Sequence, residues 1–293
     1  MKTTNKHLKN RLSPLTFVML MVLILYSALL FCMILWAVLA TLKEPYDFAN
    51  NKVGLPDPWY FNNIPYVLKN AYTRKEQGVV PFGEMVWNSV LYSVGCAFVN
   101  TFVTAVVAYA CSKYKCVFSK FLYGLVLAVM VIPVVGNQTS EIQMAMNFGL
   151  YDNMAGMLVF RASFLGLYFL VFYDMFNAVP SALGEAAEID GAGDLQIMLR
   201  IFFPIASNTF LTILLINFVG YWNNYQIPMV YVPNHPTFAE YVYIVNSRSL
   251  GGDFNCTPVK LAASIILLLP VVALFCFTHK RLLGNLSIGG VKG

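Results

Sequence analysis

An all-α, polytopic membrane fold of about six spanning helices is the class this sequence predicts, on three observations. Of the 293 residues 58% are hydrophobic and only 11% are charged, against about 25% charged in an ordinary soluble domain. The mean hydropathy is +0.65, so the bilayer rather than water is the solvent. Six long stretches hold almost no Asp, Glu, Lys or Arg: Leu12 to Leu42, Met85 to Ser112, Phe121 to Ser140, Asn153 to Tyr173 (broken by Arg161), Ile201 to Ala239, and Leu261 to Thr278. A spanning helix needs about 20 mainly apolar residues, so each stretch holds one span, and even the fifth is short for two.

Along the chain, residues 1–13 form a cytoplasmic tail and span one covers 14–41. Lys2, Lys6, Lys9 and Arg11 ahead of an apolar stretch would also suit a secretory signal. Pro14 to Leu42 far exceeds the roughly 7–15 apolar residues of a signal core, however, and no small-residue cleavage pattern follows. A long outer loop rich in Pro, Asn and Tyr leads to span two (85–111). The short basic segment Ser112-Lys113-Tyr114-Lys115 leads into span three (119–136), and an outer loop with Glu141 and Asp152 into span four (154–176). A cytoplasmic loop (177–204) precedes span five (206–230), and an outer loop (231–257) precedes span six (258–277). Residues 278–293 form a second cytoplasmic tail, so 14–277 is one transmembrane domain between two tails.

Orientation follows from Lys and Arg, which are retained on the cytoplasmic side of short loops. With both ends inside, Lys2, Lys6, Lys9, Arg11, Lys113, Lys115, Lys120, Arg200, Lys280, Arg281 and Lys292 are cytoplasmic, 11 of the 19 basic residues. Outside lie Lys43, Lys52, Lys69, Arg74, Lys75 and Arg248, while Arg161 and Lys260 fall within or at the edges of spans. The expected location is a bacterial-type plasma (inner) membrane, multi-pass, with both termini cytoplasmic.

Several classes drop out. The six cysteines show no paired extracellular spacing, and the three histidines form no metal spacing, so neither a disulfide framework nor a metal site is implied. A net charge of +5 with no compact soluble domain argues against nucleic-acid binding. No catalytic triad, Walker sequence or dinucleotide fingerprint is present, so no enzyme and no bound cofactor is expected. An ion-coupled secondary transporter is the alternative class, but it should show ionisable groups near mid-membrane and repeated halves, and neither is visible.

The loop between spans four and five carries the most information. Ser181 is a possible helix cap, and Ala182, Leu183, Ala186, Ala187 and Ile189 supply small or apolar surface at helical spacing. Gly191 interrupts that helix and Asp190 is placed to cap a following turn, which predicts two short helices with a bend, the second running toward Pro204 and span five. Alanines let another surface approach closely. An amphipathic helix lying on headgroups is the bland alternative. Such helices carry Lys and Arg, whereas this loop carries Glu185, Glu188, Asp190 and Asp194 against Arg200.

Glu185, Ala186, Ala187, Asp190, Gly191 and Ala192, followed by Ile201 and Pro204, resemble the cytoplasmic coupling loop of ABC-transporter permeases. At roughly one chance in fifteen per position, six agreeing positions arise about once in 10⁷ start points. The likeness is closest to permeases of maltose-type carbohydrate importers and extends along the chain. Val179-Pro180-Ser181-Ala182-Leu183 stands where that family usually has Ile-Pro-x-Glu-Leu, without the Glu. Trp222-Asn223-Asn224-Tyr225 before Pro228, Lys280-Arg281 with Gly289-Gly290-Val291-Lys292-Gly293, Leu55-Pro56 before Trp59 and Phe61, and Trp87-Asn88-Ser89 are further landmarks. Met198 and Asp174 depart from the pattern.

The resemblance implies a permease subunit of an ATP-driven, binding-protein-dependent importer of a sugar or oligosaccharide. It implies a second permease completing the pore, a pair of ATP-binding cassette ATPases holding ATP and magnesium, and an extracellular solute-binding protein. Glu185, Ala186, Ala187, Asp190, Gly191, Ala192, Ile201 and Pro204 would then couple to the ATPase. Tyr221, Trp222, Asn223, Asn224 and Tyr225 of span five would offer aromatic faces and amides to a sugar. A helix exposes one face of that row, so the alternative reading is an interfacial aromatic belt with Asn223 and Asn224 bonding between helices.

Overall fold

A computed structural model describes residues 14–76, 78–132, 136–247 and 255–286, with side chains to residue 279. The basic tail 1–13, Arg248, the C-terminal signature at 289–293 and the side chains of Lys280 and Arg281 lie outside the described residues. The chain divides into two compact units, Met1–Val67 with Gly251–Ile265 and Leu68–Leu250 with Ile266–Gly293.

In the first unit, α1 (Pro14–Thr41) is apolar on every side, with mean hydropathy 2.8 and no buried residue over its most apolar stretch. Such a helix has nothing to keep away from lipid. Its end is tied by the chain that follows through α2 (Pro45–Asn50) to α3 (Asn63–Asn70). The buried Asn63 Nδ2 donates to the carbonyls of Thr41 and Lys43, both at 2.8 Å, and Trp36 Nε1 donates to Lys52 O at 2.8 Å. Of these carbonyls, that of Thr41 is one a helix end leaves open, and those of Lys43 and Lys52 belong to the turns that follow α1 and α2. The start of α14 (Thr257–Leu286) completes the unit.

The second unit opens with an element the all-α prediction lacks. β1 (Tyr72–Lys75) and β2 (Gly78–Pro81) form an antiparallel hairpin with Thr73 opposite Val80 and Lys75 opposite Gly78, Gly78 turning at φ +133°. From it rises α4 (Phe82–Lys113), against which α5 (Val117–Val131), α7 (Met154–Phe160), α8 (Leu167–Ala178) and α11 (Phe203–Asn223) pack. Ser89, Ser93, Cys96, Ala97, Ala105 and Ala108 are buried on α4; small residues let membrane helices approach closely. The remaining helices are α6 (Gln138–Asn147), α9 (Ala182–Ile189), α10 (Asp194–Ile197), α12 (Gln226–Tyr231) and α13 (Phe238–Ser247).

Among the described residues four helices are long and apolar enough to cross a bilayer: Pro14–Thr41, Phe82–Lys113, Asp194–Asn223 and Thr257–His279. These correspond to predicted spans one, two, five and six. In place of span three is α5, whose 15 residues rise about 22 Å against a hydrocarbon core of about 30 Å. Span four is not a single helix. α7 ends at Phe160, residues 161–166 are irregular, and α8 starts after Gly166 at φ +154°. Span five also stops earlier than predicted, at Asn223: Asn224 is extended, and its side-chain oxygen accepts from Ile227 N in the first turn of the next helix, Gln226–Tyr231.

Candidate functional site

The loop between α8 and α11 folds as two short helices around Gly191, as its sequence pattern predicts, but its caps differ from those expected. Ser181 is itself helical and makes no side-chain cap bond; its carbonyl accepts from the N–H groups of Gly184 and Glu185 instead. Asp190 closes α9 rather than opening the next helix, and α10 begins after Gly193. The bend is a Schellman motif: Ala192 N–H bonds Ala187 O at 2.9 Å, Gly191 N–H bonds Glu188 O at 3.0 Å, and Gly191 sits at φ +82°. Glycine fits there because it lacks the Cβ that makes left-handed backbone expensive.

The loop has distinct inner and outer faces. Gly184 is buried, and Ala187 and Ala192 pack on a core that includes Tyr109, Phe176, Ile197 and Phe202. Glu185, Ala186, Asp190 and Gly191 are exposed, and beside them Leu183, Ile189 and Leu195 stand in the open, Ile189 with 86% of its surface accessible. Of the two alanines expected on the contact face, then, only Ala186 points outward. Ile189 belongs to the apolar surface that the sequence predicts for this loop, whereas Leu195 is not among the residues that reading names, although an apolar side chain amid acidic residues is itself a signal of contact.

Between the loop and the end of α4 is a cleft of about 220 Å³, lined by Tyr109, Lys113, Tyr114, Glu185, Glu188 and Asp194 among others. Lys113 Nζ donates to Val179 O at 2.7 Å and lies 4.7 Å from the Phe202 ring centroid, tying the end of α4 to both edges of the loop. Partial desolvation, helped by a hydrogen bond to the Asp194 carboxylate, pushes the Tyr114 phenol up to about 12.

From α10 the helix continues without interruption into α11, so Asp194–Asn223 is one rod of 30 residues, about 45 Å long. Met198–Phe202 is a π-helical turn in which Phe203 N–H reaches back to Met198 O. Pro204 follows it, lacks an N–H and crowds the carbonyl four residues earlier, which favours the wider turn. Half-buried Ile201 packs against the same core, and Pro204 is exposed. The rod therefore starts at Asp194 rather than at Pro204.

The row at the other end of the rod is not one surface. Trp222 is buried, stacks on Phe218 and donates from Nε1 to Leu267 O at 2.9 Å. Tyr221 meets Tyr92 edge-on at 5.6 Å. Asn223 is exposed and bonds Val219 O of its own helix, Asn224 Oδ1 accepts from Ile227 N, and Tyr225 stacks on Tyr243 at 4.0 Å. Among the described residues neither Asn223 nor Asn224 bonds to a neighbouring spanning helix. Asn217 does, with Asn100 and Thr101 of α4. Asn100, Thr101 and Asn217 carry a signal of their own in the sequence, since asparagines inside apolar runs mark sites where a membrane helix needs a polar partner.

These features define a polytopic α-helical membrane protein that carries an exposed, acid-rimmed and apolar-tipped helix pair on one end of a spanning rod. The family of binding-protein-dependent transport system inner membrane components matches residues 101–283. The chain belongs to that family. It is 25% identical over 271 residues to the diacetylchitobiose uptake system permease protein NgcG of Streptomyces coelicolor, covering 91% of this chain and 86% of the relative. It is 24% identical to the arabinooligosaccharides transport system permease protein AraQ of Bacillus subtilis, covering 95% of each. Among solved structures, a bacterial ABC transporter involved in the import of the acidic polysaccharide alginate matches 90% of this chain and 95% of its own at 20% identity, with a TM-score of 0.76; that likeness concerns the fold. The ion-coupled alternative is not favoured by these likenesses.

Proposed function

We propose that this chain is one of two permeases in an ATP-driven importer of a sugar or oligosaccharide, coupled to a separate ATPase through the loop Glu185–Ala192. The observation that carries this reading is mechanical: an exposed knob of Glu185, Ala186 and Ile189 is fixed to a rod running unbroken to Asn223. A partner that grips the knob moves the rod as one body. Lys113 and the Phe176–Phe202–Tyr109 rings, with Tyr109 lying 5.2 and 5.5 Å from Phe202 and Phe176, keep the knob from moving alone. Closure of an ATPase pair would thus tilt the pore wall between inward-facing and outward-facing arrangements.

In this reading ATP and magnesium are held by the ATPases and no cofactor by this chain. A second permease completes the pore, an extracellular binding protein delivers the sugar, and both termini face the cytoplasm. The names of NgcG and AraQ place oligosaccharides among what relatives carry, and the aromatic and amide groups of Tyr221, Asn223, Asn224 and Tyr225 suit the same class.

The test is a pull-down from the native membrane in mild detergent, with partners identified by mass spectrometry and ATPase activity measured for the parent and Glu185→Lys. A second permease and an ATPase should co-purify, with the substitution releasing or uncoupling the ATPase. Recovery of this chain alone would remove the reading.

A further inference from the structure

The break in the fourth span leaves backbone carbonyls without helical partners in a region where water is scarce, so the fold must supply donors. α4 supplies them. Asn100 Nδ2 donates to Ser163 O at 2.9 Å and to Arg161 O at 3.2 Å. The Thr104 hydroxyl lies 2.7 Å from Asn100 O of its own helix and 3.2 Å from Ser163 O, so its single proton is shared between the helix and the break. The Asn100 amide is held in turn from the rod, since Asn217 Nδ2 donates to Asn100 Oδ1 at 3.2 Å and to Thr101 Oγ1 at 2.9 Å.

We infer that Asn217 and Asn100 form the joint by which movement of the rod is passed to the break at 161–166, which makes them positioning residues for transport. The chemistry of the amide gives the link a direction. Asn100 has its NH₂ on the break and its oxygen on Asn217; turned over, it would set an oxygen against two carbonyls. Asn217 holds it the right way round, so displacing the rod frees the amide and with it the segment. Plain helix-to-helix adhesion would require only the Asn217 bond to Thr101, whereas here the same group also orients the Asn100 amide that holds the irregular stretch. Two further features set that stretch apart from its surroundings. A side chain at Gly166 would meet nothing within 4 Å, and the adjacent Arg161 has Nε and Nη2 buried with no acceptor among the described residues, its charge resting over the Phe160 and Tyr231 rings.

This inference rests on the importer reading, and the experiment separates the two. The whole importer, this chain with its co-purified permease and ATPases, is placed in proteoliposomes with Ala162→Cys as reporter and the native cysteines replaced. Maleimide labelling of that cysteine is timed with and without Mg-ATP, and ATP hydrolysis is followed alongside. ATP should change the labelling rate about fivefold or more, the low end of ordinary coupling between sites. Asn217→Leu, which keeps the volume but removes both donors, should abolish that change while ATP is still hydrolysed. Asn217→Gln should restore part of it, and Asn208→Leu, elsewhere on the rod, should leave it intact. If Asn217→Leu does not reach the membrane, Asn217→Ala takes its place. An unaltered ATP response in the Asn217 variant overturns the joint, as does an active ATPase that never alters labelling in the parent. A parent chain that brings no ATPase with it overturns the importer reading instead.

Discussion

Substitution of Gly191 tests whether the bend in the loop, rather than any contact, transmits force. Gly191 sits at φ +82° and a Cβ there would meet nothing within 4 Å, so substitution creates no clash. Within this chain the effect is then backbone strain alone. A residue with a Cβ in left-handed conformation costs about 1–2 kcal/mol, which lowers the population of the bent loop by a factor of roughly 5–30. The Schellman bonds, Ala192 N–H to Ala187 O and Gly191 N–H to Glu188 O, weaken together because both depend on that one φ. Asparagine tolerates the conformation better than alanine, and a β-branched residue worst. ATP-driven uptake of the transported sugar, normalised to protein in the membrane, should therefore fall in the order Gly, Asn, Ala, Val, with insertion unchanged. Full uptake with valine would refute the claim that the bend matters. Asparagine as damaging as valine would refute strain as the cause.

Glu240 is fully buried and its only ion-pair partner among the described residues is Lys75, at 2.5 Å. Lys75→Ala should lower thermal stability by about 3–5 kcal/mol by stranding a buried charge, and Lys75→Ala with Glu240→Gln should recover most of that loss. Burial raises the Glu240 carboxyl above its ordinary value against the opposing pull of Lys75. A raised native value means its contribution is complete below the unfolded carboxyl value and is lost as pH rises through the native one. Thermal melts in detergent should thus show stability rising as pH drops from neutral toward the ordinary carboxylate range, and Glu240→Gln should flatten that slope. Gly156→Ala should destabilise by about 1–3 kcal/mol, because its Cβ would lie 2.5 Å from Leu150 O and 2.7 Å from Leu150 Cα, backbone atoms that cannot swing aside. A melting temperature equal to the parent's would show that the α6–α7 loop yields freely.

What the sequence determined by itself is what depends on composition and short-range pattern. Apolar content accumulates residue by residue, so α1, α4, the rod and α14 were legible as spans from the absence of charge. Gly191 was legible as a bend because a left-handed helix end is a local requirement, met by one residue type. Tertiary structure decided whatever depends on which way a helix is turned and on what its neighbours supply. Tyr221 to Tyr225 read as one aromatic and amide row, yet a residue every 100° around the helix axis sends Trp222 into the core, Tyr221 to Tyr92, and Asn223 outward. Ala186 and Ala187 match the same motif but face opposite ways for the same reason. The fourth span looked continuous because, Arg161 and the near-terminal Asp174 apart, its residues are uncharged. It breaks because Asn100 and Thr104, some sixty positions earlier in the chain, satisfy the carbonyls that a break exposes. A local pattern cannot report a donor brought from another helix, and in a membrane that donor decides whether a helix can stop.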